Sequence, residues 1–293
     1  VPIGPAARRS RFAGFALVLV VAAGLGAPEA PLADEFVPVD EFVGDDGLTG
    51  DAIYERVLDN RFDAFEQYLR LRSAAPSGRF SEVELRLRYR SYREESDRIL
   101  SKTIAKYFEP GDVRHLGYLV INKRSGPDDQ FVYRPSARKV RRVNVRGESI
   151  AGTDFSFEDV VPPEFEDGAH YRMPDETIAG LPVYVVVVVP SPETESEYAK
   201  LVFYVDQSRF VPIRTLYWDN KRILIKQLDA DVESIEAREA RYQGRPKTIH
   251  VALRSRMTHL KLGSHTDLVI DEFEADPTLR SRHFSERELT ASH

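Results

Sequence analysis

The sequence predicts a mainly β protein, one domain built from about a dozen strands in an antiparallel arrangement. Three observations carry this prediction. Residues Glu82 to Arg90 alternate strictly, with Val83, Leu85, Leu87 and Tyr89 on one side and Glu82, Glu84, Arg86, Arg88 and Arg90 on the other. A period of two means a strand with one apolar and one wet face, and a wet face argues for antiparallel pairing, because parallel sheets are covered on both sides. Strand-like runs then follow one another at short intervals, with no strand–helix alternation of the kind that builds a parallel sheet.

Composition bounds the rest. With 293 residues, 42% hydrophobic and 30% charged, the chain can bury one large core or two ordinary ones. It has no cysteine, which excludes disulfides, thiolate metal sites and a cysteine nucleophile. The net charge of −6 excludes a chain that is basic overall, though not a local basic face. Arg8, Arg9 and Arg11 precede the uncharged run Phe12 to Ala27, the layout of a secretory signal over residues 1–27. The run is short for a spanning helix, which needs about 20 residues; an uncleaved anchor is the alternative. Residues 28–48 are rich in Pro, Ala, Asp and Glu without a period and are expected to form a flexible leader. A single domain is expected over 49–293.

Along that domain, Thr49 to Ala74 reads as a helix capped by Thr49 or Asp51. Ile53, Val57, Leu58, Phe62, Phe65, Tyr68, Leu69 and Leu71 recur at spacings near 3.6. The segment alone favours a helix laid on a sheet over a lid on a ligand cavity. After the strand at Glu82–Arg90, further strand-like runs lie at Ile99–Tyr107, His115–Asn122, Gln130–Tyr133 and Lys139–Val145. Eight more follow between Leu181 and Phe273, joined by turn-forming connectors such as Pro190–Glu193 and Trp218–Lys221. The pattern fits a sandwich or a barrel, open or closed. Val183–Val189 lacks alternation and is expected at the middle of the sheet, buried on both faces under a helix. Ser285-Glu-Arg-Glu288 fits a capping box for a short last helix.

Catalytic spacing is scarce. None of the seven histidines forms a His-x-x-x-His pair, and there is no Gly-x-Ser-x-Gly elbow or phosphate-cradling glycine loop. No catalytic, cofactor-binding or metal-ligating residue is therefore expected, and no cofactor. Carboxylates crowd at Asp154, Glu158, Asp159, Glu164, Glu166 and Asp167, and an enzymatic or cation-binding use of them is one alternative. Residues 79–147 hold 17 Lys or Arg against nine Asp or Glu. That face could meet anionic lipid headgroups or an acidic partner, or simply be a solvated sheet face.

Residues 131–160 carry a resemblance. Tyr133-Arg-Pro135, the basic run Arg138-Lys-Val-Arg-Arg142 and the turn Gly152-Thr-Asp-Phe-Ser-Phe-Glu-Asp159 resemble the pattern of the bacterial outer-membrane lipoprotein-sorting protein family, in the LolA/LolB-like superfamily. Phe108-Glu-Pro-Gly-Asp112, Gly180-Leu-Pro-Val-Tyr184 and Tyr204-Val-Asp206 also match, so the likeness covers about residues 49–290. Thr153 and Phe157 stand where the family usually has Ser and Tyr.

The resemblance implies a strongly curved, half-open antiparallel β-barrel of about 11–12 strands, with helices covering its concave face and a cavity that takes acyl chains. It turns the helix at 49–74 into a lid. It implies a periplasmic carrier of lipid or lipoprotein acyl chains between inner and outer membrane, working with an RND/MMPL-type transporter and without catalysis. A lipid-sensing regulatory module on the same fold is the alternative. Ile53, Val57, Val83, Leu85, Leu87 and Tyr89 are the candidate cavity lining. Pro135, Arg142, Gly152, Asp154, Phe155 and Asp159 are the structural residues of the pattern, with Asp154 and Asp159 expected to hold the loop and Phe155 to anchor it.

Overall fold

The computed structural model describes residues 42–126, 128–144, 147–159 and 164–291. The expected signal at 1–27, and the expected leader up to residue 41, lie outside the described residues. The protein is mainly β, with fifteen antiparallel strands. Helix α1 spans Gly50–Asp59. Strands β1 (Ala64–Ala74), β2 (Phe80–Ser91), β3 (Ile99–Glu109), β4 (Gly117–Lys123), β5 (Asp129–Arg134) and β6 (Lys139–Val143) follow. Then come β7 (Gly168–Ile178), β8 (Leu181–Pro190), β9 (Tyr198–Asp206), β10 (Pro212–Asp219) and β11 (Leu224–Ala230). The chain ends with β12 (Ile235–Tyr242), β13 (Arg245–Ala252), β14 (Arg254–His259), β15 (Ser264–Ala275) and helix α2 (Glu286–Thr290).

Thirteen strands make one sheet in the order β6-β5-β4-β3-β2-β1-β15-β14-β11-β10-β9-β8-β7, and β12–β13 form a separate hairpin. The chain meanders outward from β1 to one edge, crosses to the other edge, and meanders back inward. β15 closes the centre against β1. The sheet thus has more strands than the 11–12 expected, and two strands account for much of the excess. One is β7, which had no strand signal. Its run is interrupted by Pro174, and its register against β8 shifts between Met173 and Glu176. The other is β1.

The helix expected over 49–74 is a helix only to Asp59. Thr49 caps it, its hydroxyl accepting from the Ala52 N–H at 3.1 Å, and Asp51 sits favourably in the first turn. The helix stops where Asn60 is held as a strand residue would be. Its carboxamide donates to the His250 carbonyl at 2.8 Å and accepts from the His250 N–H at 2.7 Å. Asp63 then accepts from the Gln243 and Gly244 N–H groups. From Ala64 on, the chain is the strand between β2 and β15, with Leu69, Leu71 and Ser73 buried at a period of two. Phe62, Phe65, Leu69 fits a helical spacing and Leu69, Leu71 a strand spacing, so a short apolar window serves both periods. Residues 64–74 are therefore not part of a lid.

Each sheet face has its own core. One face of β1–β5 and β8–β11 packs with α1 around Ile53, Tyr54, Leu58, Val83, Leu85, Tyr107, Tyr118, Val186 and Val205. On the opposite face of β3–β6, Phe284 and Leu289 of the C-terminal segment pack on Ile104 and Leu119. The two helices consequently lie on opposite faces, which corrects the expectation that the helices all cover the concave side. Lys106 fastens the second one. Its ammonium donates to the carbonyls of Glu288, Leu289 and Ala291 at 3.1, 2.6 and 2.7 Å, satisfying carbonyls that a helix end leaves open. Val183 to Val188 are buried on both faces as expected, but β8 lies next to the edge strand β7, not mid-sheet.

The edge strand β7 is fastened to residues 42–48. Phe42 donates its N–H to the Arg172 carbonyl at 3.2 Å. Arg172, 1% exposed, donates to Asp46 at 2.5 Å, to the Leu48 carbonyl at 2.8 Å and to Asp175 at 3.0 Å. The Arg172 hydrogen bond holds the Asp46 carboxyl down to about 2. With a depressed folded value, this contribution is full above the ordinary 3.8 and is lost as pH falls through about 2. Carboxyl chemical shifts should therefore place Asp46 near 2 in the wild type and back near 3.8 in Arg172→Gln, with earlier hydrogen exchange at Phe42. An unchanged Asp46 titration would contradict the clamp.

Candidate functional site

Strands far apart in the sheet order meet across one cavity. β4 is third in the order and β9 eleventh; at ~4.8 Å per strand they would stand about 38 Å apart in a flat sheet. Instead Tyr118 and Val120 of β4 and Leu201 and Phe203 of β9 line the same space. The sheet is strongly curved, and its two arms face each other over a cavity of ≈ 360 Å³. The walls include Leu100, Val120, Phe157, Val188, Leu201, Phe203 and Leu228, with Tyr118, Asn122, Gln130, Tyr198 and Tyr217 and the ionisable Lys123, Asp128, Glu158, Asp159, Glu164 and Asp167 also on the lining. This falls in the range of small-molecule sites, roughly 300–1,000 Å³ and mostly apolar with few polar groups.

The cavity owes one wall to the segment that runs from β6 to β7. Phe155 and Phe157 are buried in the core of the concave face, and the Phe157 ring lies 4.0 Å from that of Tyr118. The carboxylates around them are engaged. Asp154 accepts from the Ser264 and Thr266 hydroxyls at 2.5 and 2.8 Å. Glu158 accepts from the Ser196 hydroxyl and from the Glu197 N–H. Asp159 accepts from the Ser156 N–H at 2.7 Å, the Tyr198 hydroxyl at 2.5 Å and the Lys226 ammonium at 2.8 Å. Glu164 accepts from Arg61 at 2.6 Å and from Arg93, and Asp167 accepts from the Glu164 N–H at 2.8 Å.

The Asp159 cluster is the deepest of these. The Asp159 side chain is fully covered and that of Lys226 is 9% exposed. Burial first, and then the Asp159 charge, push the Tyr198 phenol far up, so it remains a donor. Lys226 also donates to the Tyr198 oxygen at 3.0 Å. Each charge has its counter-charge and its hydrogen bonds, the condition under which buried ions are tolerated. The arrangement ties the crossing segment to β9 and β11, one arm of the sheet, while Asp154 ties it to β15 at the centre.

The expected site residues fall in three places. Val83, Leu85, Leu87 and Tyr89 come together with Ile53 in the packed core of the concave face, and Val57 packs against them. None of the six is on the cavity wall. Of the pattern residues, Asp159 lines the cavity, Phe155 is 2% exposed and Asp154 is bound to β15. Gly152 has φ +77°, a left-handed turn position that glycine takes without strain. Pro135 and Arg142 are not on the cavity wall; they lie in the β5–β6 hairpin, where Arg142 pairs with Asp129, the neighbour of the cavity-lining Gln130. The wall residues missed at the sequence level, such as Asn122, Leu201 and Thr215, occupy strands whose runs were read. Which strands face each other across the curl has no local signal.

Part of the basic stretch at 79–147 is neutralised within the fold. Arg88 pairs with Glu66 and Glu288, Arg90 with Glu95, Arg93 with Glu164 and Arg114 with Glu109. Arg134, Arg138, Lys139 and Arg141 of the β5–β6 hairpin remain exposed. Among the described residues no helix is long and apolar enough to cross a membrane.

Removing Lys226 tests the clamp. Lys226→Met leaves a buried carboxylate unpaired, and unfolding stability should fall by about 3–5 kcal/mol. The double variant Lys226→Met/Asp159→Asn should recover much of that loss in a denaturation cycle. Additive losses would mean that the two side chains do not interact.

The fold has counterparts. The family model that matches residues 100–291, well over half of the chain, is described as an uncharacterized-protein family. No curated protein matches the chain. A domain assigned to outer membrane lipoprotein sorting, from Vibrio parahaemolyticus, is 22% identical with a TM-score of 0.72, over 83% of this chain and 98% of that one. A DUF1329 family protein from Desulfovibrio piger is 19% identical with a TM-score of 0.71, over 82% and 98%. A LolA superfamily protein from Nitrosomonas europaea is 19% identical with a TM-score of 0.62, over 82% and 99%. Identities this low speak for the fold. The chain thus belongs to the uncharacterized-protein family whose model spans residues 100–291, and its fold is that of the outer-membrane lipoprotein-sorting proteins of the LolA superfamily.

Proposed function

We propose that this protein is a periplasmic carrier that holds the acyl chains of a lipid or lipoprotein in the cavity between the two arms of its sheet and moves them between inner and outer membrane. The observation that carries the reading is the ≈ 360 Å³ cavity walled by Val120, Phe157, Val188, Leu201 and Phe203, whose neighbouring charges at Asp159 and Glu164 are already paired. Such a stretch of apolar wall suits hydrocarbon. Transfer of chains from water gives about 0.8 kcal/mol per methylene, so ten methylenes amount to roughly 8 kcal/mol, a micromolar affinity before ordering costs. Such a carrier needs no catalytic group. The basic n-region and apolar run at the N-terminus support export, and an RND/MMPL-type exporter in the inner membrane is the partner this reading implies.

Loading from a bilayer requires contact with it. One exposed part of the basic stretch is the β5–β6 hairpin. By register Arg134, Lys139 and Arg141 lie opposite one another or opposite Val132, which places them on the same sheet face as the cavity-lining Gln130. Near an anionic surface each such charge contributes about 1 kcal/mol. Protein purified from its own envelope should therefore release acyl lipid on extraction and show the adduct in native mass spectrometry. The delipidated protein should take up labelled acyl chains faster from anionic than from zwitterionic vesicles. Leu201→Trp should fill the cavity and abolish uptake while leaving the fold intact by circular dichroism. Undiminished uptake by the folded variant would contradict the assignment of the cavity.

A further inference from the structure

Among the described residues, the large hydrophobic side chains that stand exposed are Phe42, Val43, Phe80, Ile223, Leu260 and Leu262. The last four fall on three hairpin tips: Phe80 beside the β1–β2 turn, Ile223 in the β10–β11 turn, and Leu260 and Leu262 in the β14–β15 turn. The strands β2, β1, β15, β14, β11 and β10 are consecutive neighbours in the sheet, and by their antiparallel order these turns close the same end of it. The tips also meet. A Cβ on Gly263 would stand 3.3 Å from the Pro76 ring, and the Leu260 N–H donates to the Ile225 carbonyl at 2.8 Å. Each turn is tied by its own backbone. Gly78 donates its N–H to the Ala75 carbonyl at 2.9 Å, Asp219 to the Ile223 carbonyl at 2.9 Å and Gly263 to the His259 carbonyl at 2.8 Å. The apolar side chains are therefore held out on a fixed rim, and none of the four is on the cavity wall.

The charge on that rim has one sign. Residues 75–80, 220–223 and 260–263 contain Arg79, Lys221, Arg222 and Lys261 and no carboxylate, and all four cations are exposed. Asp219, just before the β10–β11 turn, accepts from the Lys221 and Ile223 N–H groups at 2.9 and 3.0 Å. A lone exposed leucine needs no explanation, but apolar side chains gathered on one rim among cations have the chemistry of a surface that sits at the headgroup boundary of a membrane. We propose that this rim is a docking surface whose partner is an anionic lipid bilayer. Phe80, Ile223, Leu260 and Leu262 enter the acyl boundary, and Arg79, Lys221 and Lys261 lie among the headgroup phosphates. The β5–β6 tip, Pro135-Ser-Ala-Arg138, adds charge but no large apolar side chain. The rim goes beyond the carrier reading and does not depend on what the cavity holds.

Vesicle flotation of the full chain tests it, with phosphatidylglycerol/phosphatidylethanolamine vesicles set against phosphatidylcholine vesicles. Burying the exposed part of one leucine corresponds to about fivefold in affinity, so Leu260→Ser/Leu262→Ser should weaken binding roughly twentyfold. One cation near an anionic surface also corresponds to about fivefold, so Lys221→Gln/Lys261→Gln should lose roughly twentyfold on the anionic vesicles and little on the neutral ones. Because the chain has no cysteine, an environment-sensitive dye on Leu262→Cys reports insertion directly. It should shift to the blue on binding, while the same dye on Glu94→Cys, in the turn at the other end of β2, should remain in water. Any one of three results overturns the inference: a wild type that binds neither vesicle, a leucine variant that binds as the wild type does, or a dye at position 262 that stays in water on the bound protein. A wild type that self-associates through the rim, without binding vesicles, likewise overturns it in favour of a second copy as the partner. Dodecanoate separates this inference from the carrier reading: the leucine variant should take it up as the wild type does, and failure of both to bind it removes the carrier and leaves the rim standing.

Discussion

The chain leaves its sheet at one edge, β6, and rejoins it at the opposite edge, β7, so a single segment has to span the width of an open sheet. The hydrogen bonds of Asp154, Asp159 and Glu164 are what this constraint requires. Asp154 binds the crossing segment to β15 at the middle. Asp159 binds it to Tyr198 and Lys226 on one arm. Glu164 receives Arg61 before β1 and Arg93 after β2. Phe155 and Phe157 lie between these polar ties and pack on the concave face. One wall of the cavity and the positions of Gly152, Asp154, Phe155 and Asp159 belong to that crossing.

The arrangement also explains why acidic residues crowd there without a shared ligand. Asp154, Asp159 and Glu164 face different elements, and their partners are hydroxyls, backbone N–H groups and cations. Asp159 and Glu164, which line the cavity, are held in this way by cations of the protein. A sealed void of this size would cost roughly 9 kcal/mol by the volume scaling of core cavities, comparable with the whole stability of a typical domain. On the proposed reading an acyl chain in the cavity would restore the missing contacts, so occupancy and stability should rise together.

Much of this was legible in the sequence, and the failures have physical causes. The alternation Val83, Leu85, Leu87, Tyr89 identified a strand and its buried face correctly, and the unbroken Val183–Val188 run identified a strand covered on both sides. What local pattern does not contain is curvature. The concave residues of β2 meet packed neighbours, while those of β4 and β9 meet a void, although Val83 and Leu85, Val120, and Leu201 and Phe203 carry the same kind of local signal. Residues 60–74 misled because Phe62, Phe65 and Leu69 fit a helix as well as a strand. The contacts that decided the matter, between Asn60 and His250, span 190 residues. The bond of Asp154 to Thr266 spans 112 and that of Asp159 to Lys226 spans 67, so the carboxylates could be seen but their partners could not.

The central claim is that one acyl chain lies between the two arms of the sheet. A crystal structure of the delipidated protein soaked with a terminally brominated fatty acyl glycerol locates the chain by its anomalous signal. The account predicts a single bromine site inside the cavity, between Val120 of β4 and Leu201 of β9. Bromine found instead on the outer face of the sheet or under α2, with the space between those two side chains empty, would contradict it.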